Sequence, residues 1–202
     1  MFLDRDGTLH VERDFCRTPS EVAVFPAVPA ALRSLRDAGY RIVVVTNQSG
    51  VARGFLDETA LARIHDEIQR QVGGVIDAFF HCPHLPEGSA GPVVGAYVRR
   101  CPCRKPGNGL LRDAIDLLDL ATRGSWVVGD SARDLLAARD FPIGRVLVRS
   151  GKPVEPSLEE LSAAHCEPDA VVDDLEAAVR FVLGSGPTPR QDDARAISAP
   201  RA

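Results

Sequence analysis

Four consecutive apolar residues, Ile42-Val43-Val44-Val45, stand between Arg41 and Thr46. The run is too short for a buried helix, and its four β-branched side chains in a row favour extended backbone. A strand with one wet face alternates apolar and polar residues, so a strand apolar at every position needs cover on both faces, as in a parallel sheet flanked by helices. The neighbouring segments supply the rest of such a sheet. Strands are expected at Phe2-Leu3, Val75 to His81, Ser125 to Val128 and Arg145 to Arg149, with a short edge strand at Ala170 to Val172. Helices are expected between them. Pro26 to Gly39 places Ala31, Leu32 and Leu35 on one stripe and ends at a glycine, and Asp57 caps a helix running to Val72. Further helices span about 109–120, 132–139 and 156–164, and Leu175 to Leu183 closes the sheet. Residues 10–25 lack periodicity and are expected to form a long loop or flap.

With 202 residues the chain is expected to make one domain over 1–183, followed by a disordered tail over 184–202, where Gly, Pro, Ser, Arg and Asp dominate. A net charge of −4 argues against a nucleic-acid partner held through phosphates and for a small substrate. No apolar run approaches the roughly 20 residues that span a bilayer, and the start lacks the segments of a secretory leader. These features predict a cytoplasmic protein without a membrane partner, with a monomer as the default state. Only three residues precede Asp4, less than a full strand, which is the reason to expect a trimmed or misassigned start.

The expected strands end in polar clusters. Phe2-Leu3 runs into Asp4-Arg5-Asp6-Gly7-Thr8; Val45 into Thr46-Asn47-Gln48-Ser49-Gly50; Val128 into Gly129-Asp130-Ser131-Ala132-Arg133-Asp134. Lys105 lies in Cys103-Arg104-Lys105-Pro106. Strand ends of an open parallel sheet lie side by side, so these groups converge on one crevice. Carboxylates at i and i+2 of an extended chain share a side, and crowding them is costly unless a proton or a hard cation such as Mg²⁺ offsets the charge. That cation also holds substrate phosphates, which suits phosphoryl transfer to an aspartate. A bare D-x-D is equally a strand-end turn with Asx hydrogen bonds. The later clusters shift the balance toward chemistry.

Cys82-Pro83-His84 and Cys101-Pro102-Cys103 are two ligand pairs, separated by a loop containing Gly88, Gly91 and Gly95. Three thiolates and an imidazole make a closed tetrahedral Zn²⁺ set, which is structural rather than catalytic. Ordinary loop cysteines are the alternative. The ion would replace a core in a polar, glycine-rich loop and fix Arg104 and Lys105 just beyond it. Cys16 and Cys166 are read as buried or incidental thiols.

The order Asp4, Asp6, Thr46, Lys105, Asp130 resembles the four motifs of the haloacid dehalogenase-like phosphohydrolases. With the C-P-H and C-x-C pairs and Cys103-Arg104-Lys105-Pro106, residues 2 to about 152 are similar to the D-glycero-D-manno-heptose 1,7-bisphosphate 7-phosphatase and histidinol-phosphatase subfamily. The resemblance implies an α/β, Rossmann-like, three-layer doubly wound sheet with no large cap domain and a zinc-stabilised loop. It implies that Asp4 is the nucleophile, Asp6 the acid and base, and Thr46 and Lys105 the groups on the transferring oxygens. Mg²⁺ would be held by Asp4, the Asp6 carbonyl and Asp130, and Zn²⁺ by Cys82, His84, Cys101 and Cys103. Substrate contacts fall on Glu12, Arg13, Asp14 and Phe15 of the flap, on Asn47, Gln48 and Ser49, and on Arg104. Asp134 either orients Lys105 or is a first-turn helix acid. The substrate expected is a small sugar phosphate, heptose bisphosphate first. Ser131 stands where the resemblance leads one to expect a lysine, so a contact to a second phosphate is expected to be missing. Histidinol-phosphatase, polynucleotide 3′-phosphatase and a non-catalytic zinc module are the competing readings.

Overall fold

The computed structural model describes residues 1–185; residues 186–202, and with them nearly all of the expected tail, lie outside the described residues. Six parallel strands form one sheet: β1 (Phe2–Leu3), β2 (Val43–Asn47), β3 (Ala78–Cys82), β4 (Trp126–Gly129), β5 (Gly144–Val148) and β6 (Ala170–Val172). Their order is β3-β2-β1-β4-β5-β6. The chain winds one way from β1 to β3 and the other way from β4 to β6. The turning point lies between β1 and β4, where an open sheet leaves a crevice at its carboxyl edge.

Six α-helices cover the two faces: α1 (Val28–Asp37), α2 (Glu58–Gln71), α3 (Gly109–Leu118), α4 (Ala132–Leu136), α5 (Glu155–Ala163) and α6 (Leu175–Gly184). The period-2 geometry of the strands divides the apolar residues between two cores. Leu3, Val44, Val128, Val146 and Val148 face α1, α2 and α6, packing on Leu32, Leu35, Ile64, Ile68 and Val179. Phe2, Val43, Val45, Val127 and Leu147 point the other way, onto Leu111, Ala114, Leu135 and Leu161 of α3, α4 and α5. The run Ile42 to Val45 is fully buried, as its unbroken apolar character requires.

Most element ends shift by one or two residues, and two depart by three. The third strand begins at Ala78 rather than Val75, because Gly73 and Gly74 both adopt positive φ and turn the chain away from the sheet after α2. Helix α4 stops at Leu136, and the chain to Arg139 continues in single turns rather than a regular helix. Residues 10–25 form the expected flap. It carries one 3₁₀ turn, Pro19–Glu21, and its base is tied by Val11 N–H to Ala23 C=O (3.0 Å) and by the Gln71 amide to Val22 and Val24. Among the described residues no helix is long and apolar enough to cross a membrane.

Candidate active site

Register brings the polar clusters together. Leu3 pairs with Val44 on one side and Val128 on the other, so Asp4 lies beside the ends of β2 and β4, within a residue or two of Thr46 and Asp130. The Asp4 N–H donates to Val128 C=O at 2.9 Å. Gly7, with φ +78°, then turns the chain, and any Cβ there would collide with the Asp130 carboxylate and the Gly151 backbone. Only glycine allows this turn to pass so close to Asp130.

The floor is a buried charge cluster. Lys105 Nζ donates to Asp4 Oδ1 (2.7 Å) and Val45 C=O (2.6 Å) and lies 2.7 Å from Asp134 Oδ1. Burial opposes the lysine's charge, but Asp134 and Asp4 outweigh that effect and hold its pKa above the ordinary value. Asp134 also accepts from the Ser131 N–H (3.1 Å), so it both orients Lys105 and serves as a first-turn helix acid; the two readings of the sequence describe the same residue. Asn47 uses both ends of its amide on the Lys105 backbone, at 3.0 Å each. Lys105 is thereby fixed in main chain and side chain at once.

The carboxylates of Asp4, Asp130 and Asp134 present oxygens within 4.8 Å of one another. Asp4 Oδ2 and both Asp130 oxygens are buried with no hydrogen-bond partner among the described residues. Buried anionic oxygens without donors are costly, and a hard, oxygen-seeking dication is the group that satisfies them, so these residues fit Mg²⁺. Burial and then the Asp134 charge push Asp4 up to about 6, and burial and then Asp4 push Asp130 up to about 7. Both shifts are upward, so the metal-free folded state keeps protons that the unfolded chain releases above about pH 4. Ionising the cluster therefore lowers stability as pH rises toward 7. Mg²⁺ must displace those protons, and its thermal stabilisation should be larger at about pH 8 than at pH 5.5, with apparent affinity roughly tenfold or more higher. Melting curves with and without Mg²⁺ at the two values check this, and an equal or reversed effect refutes the metal assignment.

Asp6 has a different environment. Burial alone would raise its pKa, but the Arg5 guanidinium and then His10 outweigh it and hold the carboxyl far below the usual range. Arg5 grips both oxygens (2.8 and 3.1 Å), His10 Nε2 lies 3.0 Å from Oδ1, and Gln48 Nε2 donates to Oδ2 at 2.7 Å. The same Gln48 nitrogen reaches Thr46 Oγ1 at 2.8 Å, linking Asp6 to the end of β2. Arg5 and His10 were missed in the sequence, where the residue between two aspartates reads as a spacer. A buried arginine declares itself only when its exposure, here 1%, is known.

A cleft of about 200 Å³ opens beside this floor. Glu12, Arg13, Asp14, Phe15, Asn47, Gln48, Ser49 and Arg104, the eight positions expected to contact substrate, all line it. Arg133 and Lys152 line it too and were not anticipated. Ser131 is absent from the wall, and the two further cations come from two and twenty-one residues further along the chain. Lys152 Nζ is 3.2 Å from Glu12 Oε2, joining the flap to the turn after β5. Phe15 meets Phe55 edge-on at 4.7 Å, with Arg17 stacked 4.3 Å from the Phe55 centroid.

The second metal set is equally closed. Cys82 Sγ is 3.6 Å from His84 Nδ1, 3.6 Å from Cys101 Sγ and 3.2 Å from Cys103 Sγ; Cys103 Sγ is 3.2 Å from Cys101 Sγ and 3.3 Å from His84 Nδ1. An ion about 2.3 Å from each sulfur spaces tetrahedral sulfurs about 3.8 Å apart, close to these edges. Burial, then the neighbouring Cys103, pushes the Cys82 thiol well up, so the free loop holds protons that Zn²⁺ displaces. Arg104 NH1 donates to His84 C=O at 3.1 Å, tying the cleft wall to this set. Cys16 and Cys166 are both buried away from it.

Residues 102–178 match a family model described as HAD-hydrolase-like. The D-glycero-beta-D-manno-heptose-1,7-bisphosphate 7-phosphatase of Haemophilus ducreyi is 38% identical over 159 residues, covering 76% of this chain and 85% of the relative. The chain belongs to the heptose bisphosphate phosphatase family of HAD-like hydrolases. The Escherichia coli K12 member is 37% identical over 163 residues, covering 79% of this chain and 83% of its own. A solved D,D-heptose 1,7-bisphosphate phosphatase from B. bronchiseptica, complexed with magnesium and phosphate, superposes with a TM-score of 0.74 at 35% identity, covering 92% of this chain and 98% of that one.

Proposed function

We propose that this protein is a phosphoric monoester hydrolase that removes the 7-phosphate of D-glycero-D-manno-heptose 1,7-bisphosphate, acting as a cytoplasmic monomer without nucleic-acid or membrane partners. The observation that carries the reading is the unpartnered Asp4 Oδ2, a buried carboxylate oxygen held beside Asp130 and braced from behind by Lys105. A carboxylate held in this way has its orientation already set for attack. Asp4 attacks phosphorus, forming an aspartyl-phosphate as the bond to the sugar oxygen breaks, and Asp6 gives that oxygen a proton. Water then attacks the phosphorus, Asp6 takes its proton, and inorganic phosphate leaves with Asp4 restored. The grip of Arg5, His10 and Gln48 keeps Asp6 ionised in the resting state, as the base role requires. Service as the acid requires proton uptake when substrate displaces those contacts. Bound Mg²⁺, held by Asp4, Asp130 and the Asp6 carbonyl, would offset repulsion between the anionic nucleophile and the anionic phosphate. Thr46 and Lys105 orient the transferring oxygens, and Zn²⁺ on Cys82, His84, Cys101 and Cys103 keeps Arg104 and Lys105 in place.

A turnover panel over heptose 1,7-bisphosphate, heptose 7-phosphate, histidinol phosphate and hexose phosphates tests the substrate. Heptose bisphosphate should give the highest kcat/KM, and preference for histidinol phosphate would reverse the assignment. Arg104→Ala should raise KM for the bisphosphate by loss of a charged hydrogen bond, about 1.5 to 3 kcal/mol or roughly ten- to a hundredfold, and more than for any monophosphate. Equal effects on the two classes would place Arg104 at the reacting phosphate.

A further inference from the structure

The charges around the cleft leave two guanidiniums over. Asp4, Asp130 and Asp134 carry three negative charges against Lys105, and a dication in that cluster brings it to neutrality. Asp6 is matched by Arg5 and Glu12 by Lys152, while Arg13 and Asp14 adjoin in the flap. Arg104 and Arg133 remain on the wall. The Arg104 side chain bonds to a neutral carbonyl, that of His84. Among the described residues Arg133 Nε is buried with no hydrogen-bond partner, and Asp134 Oδ1, with which it makes an ion pair at 4.0 Å, is already engaged by Lys105. Both guanidiniums line the same cleft, and Arg133 also feels the carboxylates of Asp134, Asp4, Asp130 and Glu12. Their convergence has a structural cause: they immediately precede Lys105 and Asp134, and the 2.7 Å ion pair between those residues draws both predecessors to one wall. Like charges held together in a cleft, short of acceptors, are stabilised by a dianion between them.

We propose that Arg133 and Arg104 form an anion clamp on the cleft wall that receives the phosphate group not being hydrolysed, which makes Arg133 a specificity-determining residue. The clamp rests on the sugar-bisphosphate reading above. It supplies from α4, two residues downstream, the positive charge that Ser131 lacks; Ser131 instead caps α4, giving its backbone N–H to Asp134. The reacting phosphate has a separate place at the buried floor, since Asp4, Lys105 and Asp130 lie outside the cleft lining.

The test compares the wild-type enzyme with Arg133→Gln and Arg133→Lys. It measures kcat/KM for heptose 1,7-bisphosphate and heptose 7-phosphate, the inhibition constant of the heptose 1-phosphate product, and the melting temperature. Arg133→Gln should lower the bisphosphate-to-monophosphate ratio of kcat/KM about tenfold and weaken product inhibition by a similar factor, with Arg133→Lys, which keeps the charge but loses the fork, intermediate. Product inhibition reads the clamp without the reacting phosphate, and the lysine variant preserves the helix surface should glutamine unsettle it. An unchanged ratio and inhibition constant in Arg133→Gln overturn the clamp while the proposed function stands. Equal losses on both substrates place Arg133 at the reacting phosphate and overturn it as well. A wild-type enzyme with no preference for the bisphosphate overturns clamp and proposed substrate together.

Discussion

Asp4→Asn should lower phosphate release by roughly 10³-fold or more while leaving the fold intact. The amide keeps an oxygen to accept from Lys105 Nζ, now at 2.7 Å from Oδ1, and turns an amide nitrogen toward the unpartnered Asp130 carboxylate. It removes the negative charge and the nucleophilic oxygen but almost no volume. The substitution also relieves a crowded cluster. The pKa of Asp4 stands at about 6 in the folded state, raised by burial and then by Asp134, so its ionised form lowers stability progressively as pH rises from about 4 to 6. The metal-free variant should therefore melt above metal-free wild type at about pH 8, and the gap should close near pH 4.5. Purified variant assayed with added Mg²⁺ settles the matter: activity within tenfold of wild type would rule out an aspartyl-phosphate on this residue.

Cys103→Ser should damage stability and turnover together. Cys103 shares short edges with Cys82, Cys101 and His84, and two residues later the chain delivers Lys105 to the buried floor. The loop has little apolar core of its own: Val93 and Val94 are exposed, and Gly88 and Gly95 have open space where a side chain would stand. Losing the ion should cost roughly 3 to 5 kcal/mol, or about 10 °C for a chain of this size. Loosening Arg104 and Lys105 should reduce kcat/KM by about ten- to a hundredfold. Metal analysis should find about one Zn²⁺ per wild-type chain and much less in the variant. Wild type without zinc after preparation in reducing, unchelated buffer, or a variant with unchanged melting, would show that the four residues are not a structural metal site.

What could be read from sequence was whatever depends on local pattern. The unbroken apolar run Ile42 to Val45 demanded cover on both faces and so implied a parallel sheet, and each strand ending in a polar cluster implied one crevice. Period and spacing carry such information because they follow from backbone geometry, in which side chains alternate along a strand and strand ends align across a sheet. The Cys and His spacing was legible for the same reason, since ligand type and count restrict the ion. Tertiary structure decided what depends on distance between remote residues. The sequence did not show that Arg5 is buried against Asp6 or that Asn47 clamps the backbone of Lys105, and it left open whether Asp134 pairs with the lysine 29 positions earlier. Ser131 in the sequence says nothing of which other cations reach the wall, because sequence position is not spatial position. Helix α4 carries Arg133 onto the wall instead, and Lys152 arrives from the turn after β5. Electrostatic compensation acts through space, and only the packed fold determines which charges share it.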